Sequence, residues 1–171
     1  MKVILLMASV LVGLNTIAQT TAELDKKNGF REFTIGTEIS SIETQIQFIK
    51  KLESAETKLF KVKEAAIVNG MSGEVELVFY KDRLVEITVF FKQKTLDDYN
   101  SLKESLTELY GAPNDASKSK TKPAYLSAYD KILIWKGAVI GLQYNYDVSH
   151  KVIEVIYWGL NEKTDKAKEE F

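Results

Sequence analysis

The stretch Val152-Ile-Glu-Val-Ile-Tyr-Trp158, VIEVIYW, decides how this chain is built. Its β-branched and aromatic residues favour an extended backbone, on which side chains alternate between two faces. Ile153, Val155 and Tyr157 then point one way. Val152, Ile156 and Trp158 point the other, with Glu154 the only polar residue in the run. An antiparallel sheet with one face in water usually carries more polar residues on that side. The second face of this strand therefore needs a cover.

Working back along the chain, Lys131-Ile-Leu-Ile-Trp135 and Ala138 to Tyr146 read as strands joined by Lys136-Gly137, a two-residue hairpin signal. That pairing sets Leu133 against Ile140 and Ile134 against Val139. Asp147-Val-Ser-His150 turns the chain into VIEVIYW. Further upstream, GEVELVFYKDRLVEITVFF is a second hairpin. A three-residue loop, Lys81-Asp82-Arg83, puts Leu77 opposite Ile87 and Val75 opposite Val89. A two-residue loop would put Glu86 on the apolar side. Arg83 then occupies the left-handed slot where Gly or Asn is usual.

Two helices are expected. Ser40-Ser-Ile-Glu43 offers a capping box, and Ile42, Ile46, Ile49 and Leu52 follow at helical spacing, so the first helix runs over Ser41–Ser54. In the second, Thr95 is the cap and Asp97 and Asp98 occupy the first turn, where the helix dipole favours negative charge. Tyr99, Leu102, Leu106 and Leu109 form its buried stripe, and Gly111 and Pro113 end it. Phe30 to Ile35 is a short extended segment closed by Gly36. Thr57 to Val68 contains a strand around Leu59–Lys63, and Asn69 to Gly73 is turn chemistry. Asn114 to Ala124 is Ser/Lys-rich without periodicity, and its lysines belong to a solvated loop. The order gives an α+β fold, an antiparallel sheet with two helices packed on one face, a two-layer sandwich.

The first residues, MKVILLMASVLVGLNTIAQT, place Lys2 before the apolar run Val3–Leu14 and a small-residue exit at Asn15–Ala18. This is the layout of a secretory signal peptide of residues 1–18, too short for a membrane anchor. Removing 18 of 171 residues leaves 153, enough for one domain over residues 30–160. Residues 19–29 are expected to be a flexible lead and residues 161–171 a charged tail. The chain has no cysteine, so it has neither a disulfide nor a lipidated cysteine. The expected destination is periplasmic or secreted. Without Lys2 the balance is 22 basic against 24 acidic residues, which gives nucleic acid or an anionic membrane no electrostatic hold.

Reactive groups are scarce. His150, the one histidine, sits in a tight turn with Ser149 and Asp147, and these neighbours are not expected to converge as a catalytic triad. Gly70-Met-Ser-Gly73 lacks the spacing and the strand-to-helix context of a nucleophile elbow. One histidine and no cysteine make a poor zinc set, and no phosphate-binding glycine motif occurs. No cofactor is expected.

The segments FREFTIGTEIS, VELVFYKDRLVEITVFF, LTELYGAP, ILIWKGAVIGLQY and VIEVIYW give the chain a resemblance. It resembles small exported proteins of unknown function from Gram-negative bacteria, over Phe30 to Trp158. Its element order is similar to the two-layer folds of beta-lactamase-inhibitor proteins and of the outer-membrane assembly lipoprotein of the BamE type. The resemblance implies a fold and an export route and carries over no catalytic residue. The chain departs from the lipoprotein pattern, because no cysteine follows the signal.

By the registers above, the inner face holds Val75, Leu77, Phe79, Val85, Ile87, Val89 and Phe91, then Leu133, Trp135, Ile140, Leu142 and Tyr144, then Ile153, Val155 and Tyr157. The outer face carries Val78, Tyr80, Leu84, Phe90, Ile132, Ile134, Val139, Val152, Ile156 and Trp158. Either Thr20–Asn28 or Asn114–Asp130, with Tyr125 and Tyr129, folds over part of it, or it meets a protein or peptide partner. Tyr80, Phe90, Ile134 and Trp158 are the expected anchors. The expected function is a non-enzymatic interaction module of the cell envelope, monomeric or weakly dimeric. The alternatives are an envelope hydrolase with an unplaced carboxylate site and a small apolar-ligand binder.

Overall fold

In a computed structural model that describes residues 22–52, 56–117 and 128–160, the chain is an α+β protein dominated by antiparallel sheet. A short helix α1 (residues 22–27) precedes a ribbon of β1 (Gly29–Phe30) and β2 (Phe33–Thr34). Two 3₁₀ turns, Ile39–Ser41 and Glu43–Gln45, lead into β3 (Ile46–Lys51) and β4 (Thr57–Val62). After β5 (Ala66–Val68) come the long strands β6 (Met71–Tyr80) and β7 (Arg83–Phe91), then helix α2 (Leu96–Tyr110). The two-residue β8 (Asn114–Asp115), β9 (Lys131–Lys136), β10 (Ile140–Asp147) and β11 (Val152–Gly159) complete the order. The main sheet runs β3-β4-β6-β7-β11-β10-β9-β8, with β5 paired on β6. VIEVIYW lies in β11 (Val152–Gly159), interior to the sheet between β7 and β10. The signal segment 1–18, residues 118–124 of the expected loop, Tyr125 and the tail 161–171 lie outside the described residues.

The inner face of the sheet meets α2. Leu77, Ile87, Val89, Leu142, Tyr144, Ile153 and Tyr157 share one core with Tyr99, Leu102, Leu106 and Tyr110. Thr95 caps α2, its hydroxyl accepting from the Asp98 amide while the Asp98 carboxylate accepts from the Thr95 amide. Strand side chains then fasten the helix at both ends. The Tyr146 hydroxyl donates to the Lys94 carbonyl (3.1 Å), the Tyr144 hydroxyl to the Tyr99 carbonyl (2.8 Å), and the Trp135 indole to the Gly111 carbonyl (2.7 Å). Tyr99 stacks on Tyr144 with ring centroids 4.7 Å apart. The last buried position is Tyr110, hydrogen-bonded to Tyr157, and the expected Leu109 is exposed.

The first expected helix is not there. Over the described part of Ser41–Ser54 the chain forms 3₁₀ turns and then β3, and no side chain caps either turn. Ser41 instead donates its hydroxyl to the Glu38 carbonyl. The helical spacing of the isoleucines competes with a strand partner one short connection away. Pairing with β4 buries Ile46 and sets the Phe48 ring edge-on against Phe60, 5.4 Å between centroids. Tertiary pairing overrides the local pattern.

The first hairpin keeps the expected alignments, Val75↔Val89 and Leu77↔Ile87, by another route. Its loop is the two residues Lys81 and Asp82, both left-handed (φ 49° and 61°), the geometry of a tight hairpin turn. A bulge at Val85 restores the phase, since Val78 pairs with Glu86 but Phe79 pairs with Leu84. Leu84 consequently joins the inner core, and Val85, expected inside, does not belong to that core cluster. In the second hairpin Leu133 pairs with Tyr144 and Ile134 with Gln143, four residues from the expected alignment. An even slip leaves every side chain on its expected face.

The longer connection behind that slip is held by the N-terminal segment. Residues 22–29, expected to be a flexible lead, form α1 and the start of β1, with Leu24 fully buried. The Asp25 carboxylate accepts the amides of Ala138 (2.7 Å), Val139 (3.0 Å) and Ile140 (3.2 Å). Burial works to raise the Asp25 pKa, but these three donors outweigh it and hold the carboxyl below its ordinary value.

Candidate functional site

The outer faces of β7, β11, β10 and β9 present three rows of side chains. Glu86, Trp158 and Gly141 lie side by side, then Thr88, Ile156, Gln143 and Ile134, then Phe90, Glu154, Asn145 and Ile132. Phe90, Ile134, Ile156 and Trp158 are half-buried, while Ile132, Gln143, Asn145, Glu154 and Thr88 are buried. Three of the four expected anchors, Phe90, Ile134 and Trp158, thus surround one patch. Tyr80 stands apart at the turn end of β6, with the Lys81 ammonium 4.9 Å from its ring centre.

The middle of the patch is polar and internally bonded. Gln143 donates its side-chain amide to Asn145 (3.1 Å), and Asn145 donates to the Glu154 carboxylate (2.7 Å). Tyr129 bonds the same carboxylate from the segment leading into β9, so Asn114–Asp130 contributes to covering this face. Burial, and then the Glu154 carboxylate, push the Tyr129 pKa up. In the sequence Glu154 stands out only as the single polar residue of VIEVIYW. The signal for the network was the Asp147–His150 turn, which sets Asn145 directly across from Glu154. A fully bonded polar chain of this kind fixes side chains in one arrangement.

Beside Phe90, Glu74 receives Lys92 (2.9 Å) and Lys61 (3.1 Å), and these bonds lower its carboxyl pKa. At the far end of β10, Asp147 and His150 meet. The Asp147 carboxylate lies 2.6 Å from His150 Nδ1 and accepts the His150 amide, which lowers the Asp147 pKa. The His150 side chain is 78% exposed. A triad needs a hydroxyl on the other ring nitrogen, and none of the bonds here joins Ser149 to His150. Among the described residues no group of three or more His, Asp and Glu is placed to hold a metal, and no helix is long and apolar enough to cross a membrane.

No protein-family model, curated protein or solved structure matches the chain. None of these comparisons ties it to the families its motifs resemble.

Proposed function

We propose that this protein is a non-enzymatic interaction module of the cell envelope, which takes a protein or peptide partner on the outer face of β7, β11, β10 and β9. One observation carries the reading: Phe90, Ile134, Ile156 and Trp158 remain partly exposed around a polar network that is already satisfied. Aromatic and aliphatic anchors on a rigid platform are what protein interfaces use. The export route rests on the pattern of Lys2, Val3–Leu14 and Asn15–Ala18 in the sequence.

Hydrolysis has weaker support, because the bonds of the exposed His150 side chain to Asp147 include no nucleophile among the described residues. Storage of an apolar ligand under α2 is disfavoured by size. The cavity lined there by Phe30, Val89, Leu102, Leu106 and Tyr157 is about 30 Å³, room for roughly one or two waters. The test is capture from envelope extract by immobilised wild type, Trp158→Ala and Phe90→Ala, each checked by circular dichroism. The reading requires one protein held by the wild type and lost by both folded variants. Equal capture by all three would defeat it.

A further inference from the structure

The two edges of the main sheet differ. At one edge β8 is two residues long, and beyond it Ala116 and Ser117 continue to bond Ile132. At the other, β3 is six residues long, and Gln47 to Lys51 are all exposed. The Lys63 amide donates to the Gln45 carbonyl, so the alternation of an antiparallel ladder turns the backbone of Gln47 toward β4 as well. Ile46 and Phe48 then turn their backbone groups to the open side. Phe48 and Ile49, 51% and 43% exposed, stand at the middle of this edge.

The lysines of β3 and its bulge near Ile49 are common means of keeping an edge solitary. The distribution of charge argues for more than that. β3 ends in Lys50 and Lys51, whereas Glu43 precedes its start and Glu64 follows the adjacent end of β4, beside a cleft of about 260 Å³ that Glu32 also lines. None of these charges is in an ion pair among the described residues. A strip that only repelled its own kind would carry one sign throughout. This one is net acidic at one end, where Glu32, Glu43 and Glu64 outnumber Lys63, whose ammonium donates to the Thr44 carbonyl, and basic at the other.

We propose that β3 is a self-pairing edge, through which two copies of the chain join antiparallel about a twofold axis near Phe48 and Ile49. Lys50 and Lys51 of each copy then run toward Glu43 and Glu64 of the other, and the apolar pair covers its counterpart. Parallel pairing would bring lysines together. An acidic extended peptide would meet Glu43 and Glu64 and be repelled at that end. A twofold contact closes on itself, so it makes dimers and not fibres. The strip is small for a stable interface, and the expected dissociation constant is on the order of 0.1 mM.

This edge is independent of the outer-face reading and is tested by sedimentation equilibrium of the purified protein up to about 1 mM. The double variants Lys50→Glu/Lys51→Glu and Glu43→Lys/Glu64→Lys change only exposed side chains, and circular dichroism checks their fold. Each alone is expected to self-associate at least about tenfold more weakly than wild type, because like charges now meet at both ends. An equimolar mixture is expected to recover the dimer, since each end again faces its opposite. A wild type that stays monomeric, a variant that dimerises as well as wild type, or a mixture that does not recover would overturn the proposal.

Discussion

The six-membered ring of Trp158 fills the space above Gly141, its register partner on β10. A Cβ placed at Gly141 would lie 2.3 Å from two atoms of that ring. The indole shields backbone that the glycine leaves bare, a cross-strand device for stabilising a glycine in a sheet.

Gly141→Ala should therefore dislodge Trp158 and destabilise the fold by about 1–3 kcal/mol, the usual range for overpacking. Thermal melting measures the loss, and tryptophan emission should shift toward the solvent-exposed end. Unchanged emission and melting would mean that the indole moves aside freely and is a poor rigid anchor.

Asp25 gives a pH dependence of known sign. Its folded pKa is depressed, so its contribution is present above the ordinary value of 3.8 and is lost as pH falls through the lower folded value. Asp25→Ala leaves three turn amides without their acceptor and should cost roughly 1–2 kcal/mol at neutral pH, in the range of a lost capping group. Urea unfolding at pH 7 and pH 3 should show a smaller acid-induced loss in the variant than in wild type. Equal losses would assign acid sensitivity to Glu74, Asp98 and Asp147, which are shifted the same way.

The tyrosines under α2 act at the other end of the scale. Burial raises Tyr144 and Tyr157 well above 10.0 and Tyr99 to about 12, so stability is intact below pH 10 and declines above it as the unfolded chain ionises first. Absorbance titration should show these phenols ionising only with loss of the folded signal. Tyr144→Phe removes the bond to the Tyr99 carbonyl and should cost about 1 kcal/mol.

Glu154→Ala leaves Asn145 and Tyr129 without their shared acceptor in a buried position, at a cost of about 1–3 kcal/mol. Glu154→Gln keeps an acceptor and should cost less. Denaturant midpoints of the two variants measure the difference, and identical midpoints would show that the network contributes nothing through its acceptor.

Face and order were largely legible in the sequence, and registers were less so. Alternation alone assigned Leu77, Ile87, Leu142, Val155 and Tyr157 to the interior, because a pleat allows only two sides. The Thr95 cap and the Tyr99, Leu102, Leu106 stripe emerged from local chemistry within α2. What failed depended on something outside the element's own sequence pattern. β3 became a strand because β4 was there to pair with it, and the β9–β10 connection lengthened because Asp25 grips it from 113 to 115 positions away. Val85 and Leu84 exchanged sides through a single bulge that no periodicity announces. The buried Gln143–Asn145–Glu154 chain depended on a register fixed by the Asp147–His150 turn.

The last strand of the described residues, β11, lies between β7 and β10, so it is the seam that joins the two halves of the sheet. Until synthesis passes Gly159, the earlier hairpin and the later one have no backbone ladder between them, and the phenol of Tyr110 waits for Tyr157. Closure of this architecture therefore waits for β11, whatever the order in which the other strands pair.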